Sequence, residues 1–360
     1  MKHSKDINAG FVILPLLFAF LLCSCKTQDK AKDLDLLSAE IENLIQEYHV
    51  GGKFDGTVLV ADADGLVFKG AFGKADRQKG IPLTTQSQFY LASVSKQFTA
   101  NAIVLLIKNG DIQVDDLIVD YLPELPSIYN AISFRNLLNH TSGIPDYYNF
   151  ADLYEGFTNT DVLNVLKGID RLEFEPGTRY QYSNSGYVLL SILVERVSDK
   201  TFAQFLNTNA LEKAGLTSTI VFDEFAPVPE NRAVGYGRDS TLTDYRFRTT
   251  GGGGIYSNVE DLYRWHLALS EGILLDEKTM EMAYSPTVLK NDSTVYYGFG
   301  WFLDPDDPGH VGHDGNLEGF RTVIDRQLDT GRVIIVLSNN SSEYIQEIVA
   351  EIRELWSSQN

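Results

Sequence analysis

Cysteine is nearly absent from this chain. There are two in 360 residues, Cys23 and Cys25, both ahead of the first stretch with globular patterning. Everything after Cys25 therefore lacks disulfides and thiolate metal sites, whatever its redox compartment. Long apolar runs are also missing. The N-terminal run from Phe11 to Leu22 has twelve residues and is interrupted by Pro15, too short to span a bilayer. Positive charge is scarce, with 30 Lys and Arg against 49 Asp and Glu and a net charge of −19. A surface this acidic repels phosphate backbones and anionic lipid, which argues against nucleic acid as a partner. No His-Glu-x-x-His or other tight ligand spacing occurs, so a zinc hydrolase is unsupported and neither metal nor cofactor is expected. No Gly-x-Ser-x-Gly elbow occurs either, which argues against an α/β-hydrolase.

What is present begins with a leader. Lys2 and Lys5 precede the apolar run, as in a secretory signal peptide. Leu22-Cys23-Ser24-Cys25 then resembles the bacterial lipobox, which implies removal of residues 1–24 and a lipid on Cys25. Residues 25–35 are polar, lack hydrophobic periodicity and read as a tether. Lys26 follows the lipidation position, which by resemblance to diderm lipoproteins implies the outer membrane. The membrane partner would be reached through that lipid. A domain over 36–358 is expected after the tether.

That domain has a symmetric outline. Leu37, Ile41, Leu44, Ile45 and Tyr48 share one helical face. Gly56–Ala61 and Leu66–Phe72 read as a hairpin about Asp62-Ala63-Asp64-Gly65. At the other end, Phe320–Asp325 and Arg332–Ser338 read as a second hairpin. Ile345, Ile348, Val349, Ile352 and Leu355 then mark a second amphipathic helix. The expected fold is α+β: an antiparallel sheet built from both termini, with both helices on one face. A mostly helical lobe, about 93–295, is inserted between sheet segments at about 36–92 and 296–358.

The chemistry sits at three places. Ser93-Val94-Ser95-Lys96 puts a hydroxyl and an amine on one helix face, within apolar surroundings that lower a lysine pKa. Such a lysine can take the serine proton and make a nucleophile. Ser-x-x-Lys alone equally fits a helix start with a solvated lysine. Tyr182-Ser183-Asn184 offers a proton relay and an amide for orienting substrate, on a loop between a turn and the helix from Gly186. Two other Tyr-x-Asn matches, at Tyr147 and Tyr256, compete with it. Gly312-His313-Asp314-Gly315-Asn316 precedes the strand at Phe320, and Gly315 would let substrate backbone approach a strand edge. His49, His140, His266 and His310 read as structural or surface groups. Gly251–Gly254 reads as a flexible or close-packed turn.

Taken in order, these segments resemble the class C β-lactamase-related serine hydrolases of the serine β-lactamase and penicillin-binding-protein superfamily. Further matches are Leu137-Leu138-Asn139-His140-Thr141-Ser142-Gly143-Ile144-Pro145, Phe174-Glu175-Pro176-Gly177-Thr178 and Gly253-Gly254-Ile255-Tyr256-Ser257. The likeness runs from about Leu37 to the C-terminus and favours Tyr182 among the three tyrosines. It implies Ser93 as nucleophile, Lys96 as its base and Tyr182 as proton relay. Asn184 would bind the acyl side, His313 would line the opposite wall, and the N–H groups of Ser93 and Asn316 would form an oxyanion hole. Two departures bear on substrate. His313 stands where β-lactamases of this class carry a lysine, and Asp314 stands where a hydroxyl is usual. Both weaken the case for a substrate held by its carboxylate. The expectation is an ester or amide hydrolase, an esterase or D-residue peptidase acting on a small ester, a peptide or a cell-wall fragment. A β-lactamase or DD-carboxypeptidase is the alternative. A catalytically idle binder of cell-wall fragments is a further one, against which the intact Ser93, Lys96 and Tyr182 set argues.

Overall fold

The computed structural model describes residues 14–244 and 247–358, with side chains described from Lys32 onward. The first helix, α1 (Leu14–Val50), runs through the segment expected to be a tether. No glycine or proline lies between Lys26 and Val50 to stop it. The lipidation reading at Cys25 concerns a side chain outside the described residues.

Two strands follow, β1 (Gly56–Asp62) and β2 (Gly65–Phe72), joined at Gly65 with φ +129°. The C-terminal part supplies β3 (Phe302–Leu303), β4 (His310–Leu317), β5 (Phe320–Gln327) and β6 (Arg332–Ser338). They form one antiparallel sheet in the order β3-β4-β5-β6-β1-β2. The two ends of the chain meet where β1 pairs with β6, Val58 opposite Val336 and Val60 opposite Ile334. The expected sheet from both termini is present. The strand β4 was not anticipated, and it carries His313 to Asn316.

Alternation along the central strands separates two cores. Val58, Val60, Ile334 and Val336 face α1 and the last helix, α5 (Ile345–Ser357). Leu37, Ile41 and Ile45 from α1 meet Ile348, Ile352 and Trp356 from α5 there. Trp356 is buried in this cluster, while Leu355, expected on the inner face, is only partly covered. The Tyr48 hydroxyl also donates to Glu347 or Glu351, each 2.7 Å away, tying the two helices together. On the other face, Leu59, Ala61, Ile335 and Leu337 pack into the larger core shared with the middle lobe.

Three helices of the middle lobe position the site: α2 (Lys96–Asn109), α3 (Asn184–Ser198) and α4 (Val259–Ser270). α2 ends at Gly110, whose φ of +82° allows a left-handed cap. Eleven of its fourteen residues are buried, so this is a central helix rather than a surface one. Phe98 stacks on Trp265 of α4 at 4.2 Å, and the Trp265 indole donates to Gln97 Oε1 at 2.7 Å. α3 starts at Asn184, two residues earlier than the sequence suggested, so Asn184 belongs to its first turn.

Candidate active site

The chain reaches Ser93 through a clamped backbone. Leu91 N–H donates to Ile255 O at 2.8 Å, and Thr322 Oγ1 donates to Leu91 O at 2.7 Å. Ala92 then adopts φ +48°, a left-handed conformation that costs a non-glycine residue about 1 kcal/mol or more. A 3₁₀ turn over Ala92–Ser95 leads directly into α2. The turn leaves Ser93 partly exposed between buried Ala92 and Val94. The strained residue sits immediately before the one accessible hydroxyl of the turn, as expected where surrounding structure holds a reactive group in place.

Lys96 lies beneath, fully buried. Its Nζ is 3.1 Å from Ser93 Oγ, 2.7 Å from Asn184 Oδ1 and 2.7 Å from Gly252 O. Two of these partners are carbonyl oxygens, which only accept. Only the serine hydroxyl can also donate. A neutral amine has two N–H bonds and one lone pair. It satisfies all three partners by donating to Asn184 and Gly252 and accepting from Ser93. Burial lowers the Lys96 pKa to about 7, with Asp146 and Asp314 pulling it back up. The amine is therefore substantially neutral at neutral pH, in the geometry a base for Ser93 requires.

Tyr182 stands beside this pair. Its ring lies 4.8 Å from Lys96 Nζ, and its buried hydroxyl has the Ser93 hydroxyl beside it but no acceptor for its own proton among the described residues. Burial drives the phenol well above its ordinary value, and the nearby Ser93 hydroxyl offsets only part of that. Tyr182 is thus a neutral phenol with an unused donor, an arrangement that a substrate atom can satisfy. His140 is closer to the chemistry than a generic structural histidine. Its ring packs tilted against Tyr182, with centroids 4.2 Å apart, and its Nδ1 accepts from Ser183 N–H at 3.2 Å. Burial holds it neutral, with Lys96 and His313 acting in the same direction.

The strand β4 forms the other side. His313 is buried rather than lining the open wall. Its Nδ1 lies 2.7 Å from Asp314 O, and its Nε2 lies 3.1 Å from Tyr297 Oη. A carbonyl only accepts, so the proton is assigned to Nδ1 and Tyr297 donates to Nε2. Burial and then Lys96 hold its pKa down to about 3, so it carries no charge to offer a carboxylate. Asp314 does not line the cleft in front of Ser93. It borders a separate groove with Phe302, Asp304 and His310. Burial raises its carboxyl pKa, with Lys96 among the groups opposing that. Gly315 acts differently from the sequence expectation. A Cβ there would sit 2.2 Å from Thr322 Oγ1 and 2.3 Å from Leu91 O. The glycine lets β4 press against the turn that carries Ser93 rather than against substrate.

In front of Ser93 lies a cleft of about 180 Å³. Tyr90, Tyr147, Tyr148, Asn184, Thr249, Gly252, Gly253, Asn316 and Leu317 line it with Ala92 and Ser93. Among the described residues, that lining carries no charged side chain. The glycine run Gly251–Gly254 is close-packed. A Cβ on Gly251 would come 2.1 Å from Tyr187 O, and Gly253's would come 2.5 Å from Tyr90 Oη.

The model of the beta-lactamase family matches residues 41–352. This chain belongs to the beta-lactamase family. Penicillin-binding protein 4* of Bacillus subtilis (strain 168) is 34% identical over 348 residues, covering 89% of this chain and 75% of that protein. The crystal structure of a penicillin-binding protein from Bacillus halodurans superposes with a TM-score of 0.77 at 27% identity. That match covers 88% of this chain and 98% of the other. A D-amino acid amidase from Ochrobactrum anthropi SV3 shares the fold at a TM-score of 0.76 and 23% identity, over 89% and 99% of the two chains.

Within this beta-lactamase-family chain, two contributors to the site escaped the sequence reading. Gly252 supplies a backbone carbonyl to Lys96, a role no side chain announces. Asp146, in a loop that sequence alone could not place, accepts from Asn184 N–H at 3.0 Å and Asn184 Nδ2 at 2.8 Å. The sequence signal was there: Asp146 directly follows the Leu137–Pro145 stretch that resembled the family. Among the described residues, no group of His, Cys, Asp and Glu is arranged to hold a metal ion.

Proposed function

We propose that the protein is a serine hydrolase that forms an acyl-enzyme at Ser93, on an ester or amide whose recognised end is not a free carboxylate. The observation that carries this reading is the buried Lys96, placed against two carbonyls and Ser93 Oγ so that its neutral form, donating to the carbonyls, keeps a lone pair for the serine. As Ser93 Oγ bonds the substrate carbonyl carbon, its proton passes to Lys96 Nζ. The developing oxyanion is met by the N–H groups of Ser93 and Asn316, each such donor typically worth about 10²–10³ in rate. The Tyr182 phenol gives its proton to the leaving atom and recovers one from Lys96. In deacylation the same groups act in reverse on water.

The uncharged cleft lining and the neutral, buried His313 support an esterase or D-residue peptidase over a substrate gripped by its carboxylate. Replacing Ser93 with Ala is expected to lower p-nitrophenyl ester hydrolysis at least about 10³-fold. Full activity in that variant sinks the proposal. A second reading, β-lactamase or DD-carboxypeptidase, is favoured by the 34% identity to a penicillin-binding protein. It predicts chromogenic cephalosporin turnover at or above about 10⁴ M⁻¹s⁻¹, whereas the first reading predicts slow or absent turnover. The lipobox-like sequence supports placing the enzyme on a membrane through Cys25. In a detergent phase separation, the full chain then partitions with detergent and the Cys25→Ala variant with water.

A further inference from the structure

The Lys96 amine keeps its lone pair for Ser93 only while Asn184 faces it oxygen first. An asparagine amide can equally present its NH₂ end. Donor would then face donor, and an amine hydrogen would be left to point at Ser93. The position of Asp146 removes that choice. Its Oδ2 accepts from both the backbone N–H and the Nδ2 of Asn184, and its Oδ1 accepts from Tyr148 N–H at 3.2 Å. A flipped amide would set its carbonyl oxygen against this carboxylate. Asn184 also sits at the start of α3, so its backbone is fixed and only the side-chain torsion remains to be chosen.

We propose that Asp146 is a positioning residue for acylation: through Asn184 it fixes the hydrogen-bond pattern that leaves the Lys96 lone pair free to accept from Ser93. This rests on the acyl-enzyme reading above. Asp146 does not itself line the cleft, so it acts on the chemistry through the Asn184 amide it holds. It also acts through charge, and in the opposite sense. A carboxylate near Lys96 favours the protonated amine, which is the inactive form of the base. Orientation helps catalysis and charge hinders it, so the two can be measured apart.

The surroundings of Lys96 make the separation clean. Ser93, Asn184 and Gly252 bond it directly, and the rings of Tyr182 and Tyr187 lie 4.8 and 5.4 Å from Nζ. His140 and His313 are held neutral by burial. Asp314 is the other carboxylate whose charge reaches the amine. Removing Asp146 therefore removes one of two opposing charges.

The test uses the intact protein and two readouts. The first follows the Lys96 Cε resonance with pH in lysine-labelled protein, without substrate. The second is the rate of Ser93 labelling by a fluorophosphonate probe on the high-pH plateau. Asp146→Asn is near-isosteric and is expected to lower the Lys96 midpoint by roughly 0.5–1 pH unit, with labelling slowed about 3- to 10-fold. Asp146→Ala is expected to lower the midpoint equally and slow labelling at least about 10-fold. Asp146→Glu restores the charge without the two-pronged fit, so its midpoint returns to the wild-type value while labelling stays slow. A purely structural role would slow labelling with no ordered movement of the midpoint, and that pattern overturns the inference. Plateau rates within about two-fold of wild type in both Asn and Ala variants also overturn it. Wild-type protein that fails to react at Ser93 instead overturns the acyl-enzyme reading and the positioning role with it. The Lys96 titration distinguishes the two failures, because it needs no activity.

Discussion

At the scale of single residues, the proposed mechanism makes Lys96 decide the pH at which the site works. Only the neutral amine can take the Ser93 proton, and burial sets its pKa near 7. The pH profile of kcat/KM is therefore expected to climb about tenfold per unit below that value and to level off above about pH 8. Tyr182 is buried and pushed upward, so its ionisation causes no alkaline loss up to about pH 10. An acid limb centred near pH 5 would contradict this. The same burial costs stability. The unfolded chain holds the lysine proton up to about pH 10.4, while the folded chain releases it near 7, so folding is penalised throughout the range below the unfolded value. Lys96→Met is thus expected to abolish activity while leaving the melting temperature equal or higher, read by calorimetry. The Ser93–Lys96 pairing was legible because both residues lie within one helical turn. Gly252 and Asp146 were not, since they lie 156 and 50 positions from Lys96 and only the fold brings them to its surroundings.

Among the elements, β4 is the one the sequence concealed. Gly312, Asp314, Gly315 and Asn316 all have poor strand propensity, so nothing local announces an eight-residue strand. Its pairing along the whole of β5 supplies what propensity lacks, with His313 opposite Ile324 and Gly315 opposite Thr322. That register also explains why Gly315 must be small: Thr322 and Leu91 occupy the space a Cβ would need. Gly315→Ala is expected to cost about 1–3 kcal/mol of stability by overpacking. It should also slow Ser93 labelling, because the displaced atoms include the carbonyl that Thr322 clamps. A variant with unchanged melting temperature and unchanged labelling would show that Gly315 does not hold β4 against the turn that carries Ser93. The start of α3 was misread by two residues for a related reason. Ser183 makes no side-chain capping bond, so the usual local signal of a helix start is missing there.

For the molecule as a whole, the two terminal hairpins and their amphipathic helices make the sheet readable in the sequence. The middle lobe was harder. Its 3₁₀ turns and five-residue helices follow from packing and capping, not from long periodic patterns. The joining of the two termini carries a consequence. A chain starting at Leu34 keeps the buried face of α1 and is expected to fold and react at Ser93. One starting at Gly52 loses Leu37, Ile41, Ile45 and Tyr48 from the core. At roughly 1.5–3 kcal/mol per buried side chain, that deficit matches a typical total stability, so the shorter chain is expected to be insoluble or unfolded by circular dichroism. The proposed role of Ser93 as an acylated nucleophile is checked most directly by intact mass spectrometry after rapid quenching with a slowly deacylating ester, followed by peptide mapping. The expected result is one acyl group per chain, on Ser93 and lost in Ser93→Ala. An adduct on another residue, or turnover undiminished in Ser93→Ala, would contradict it.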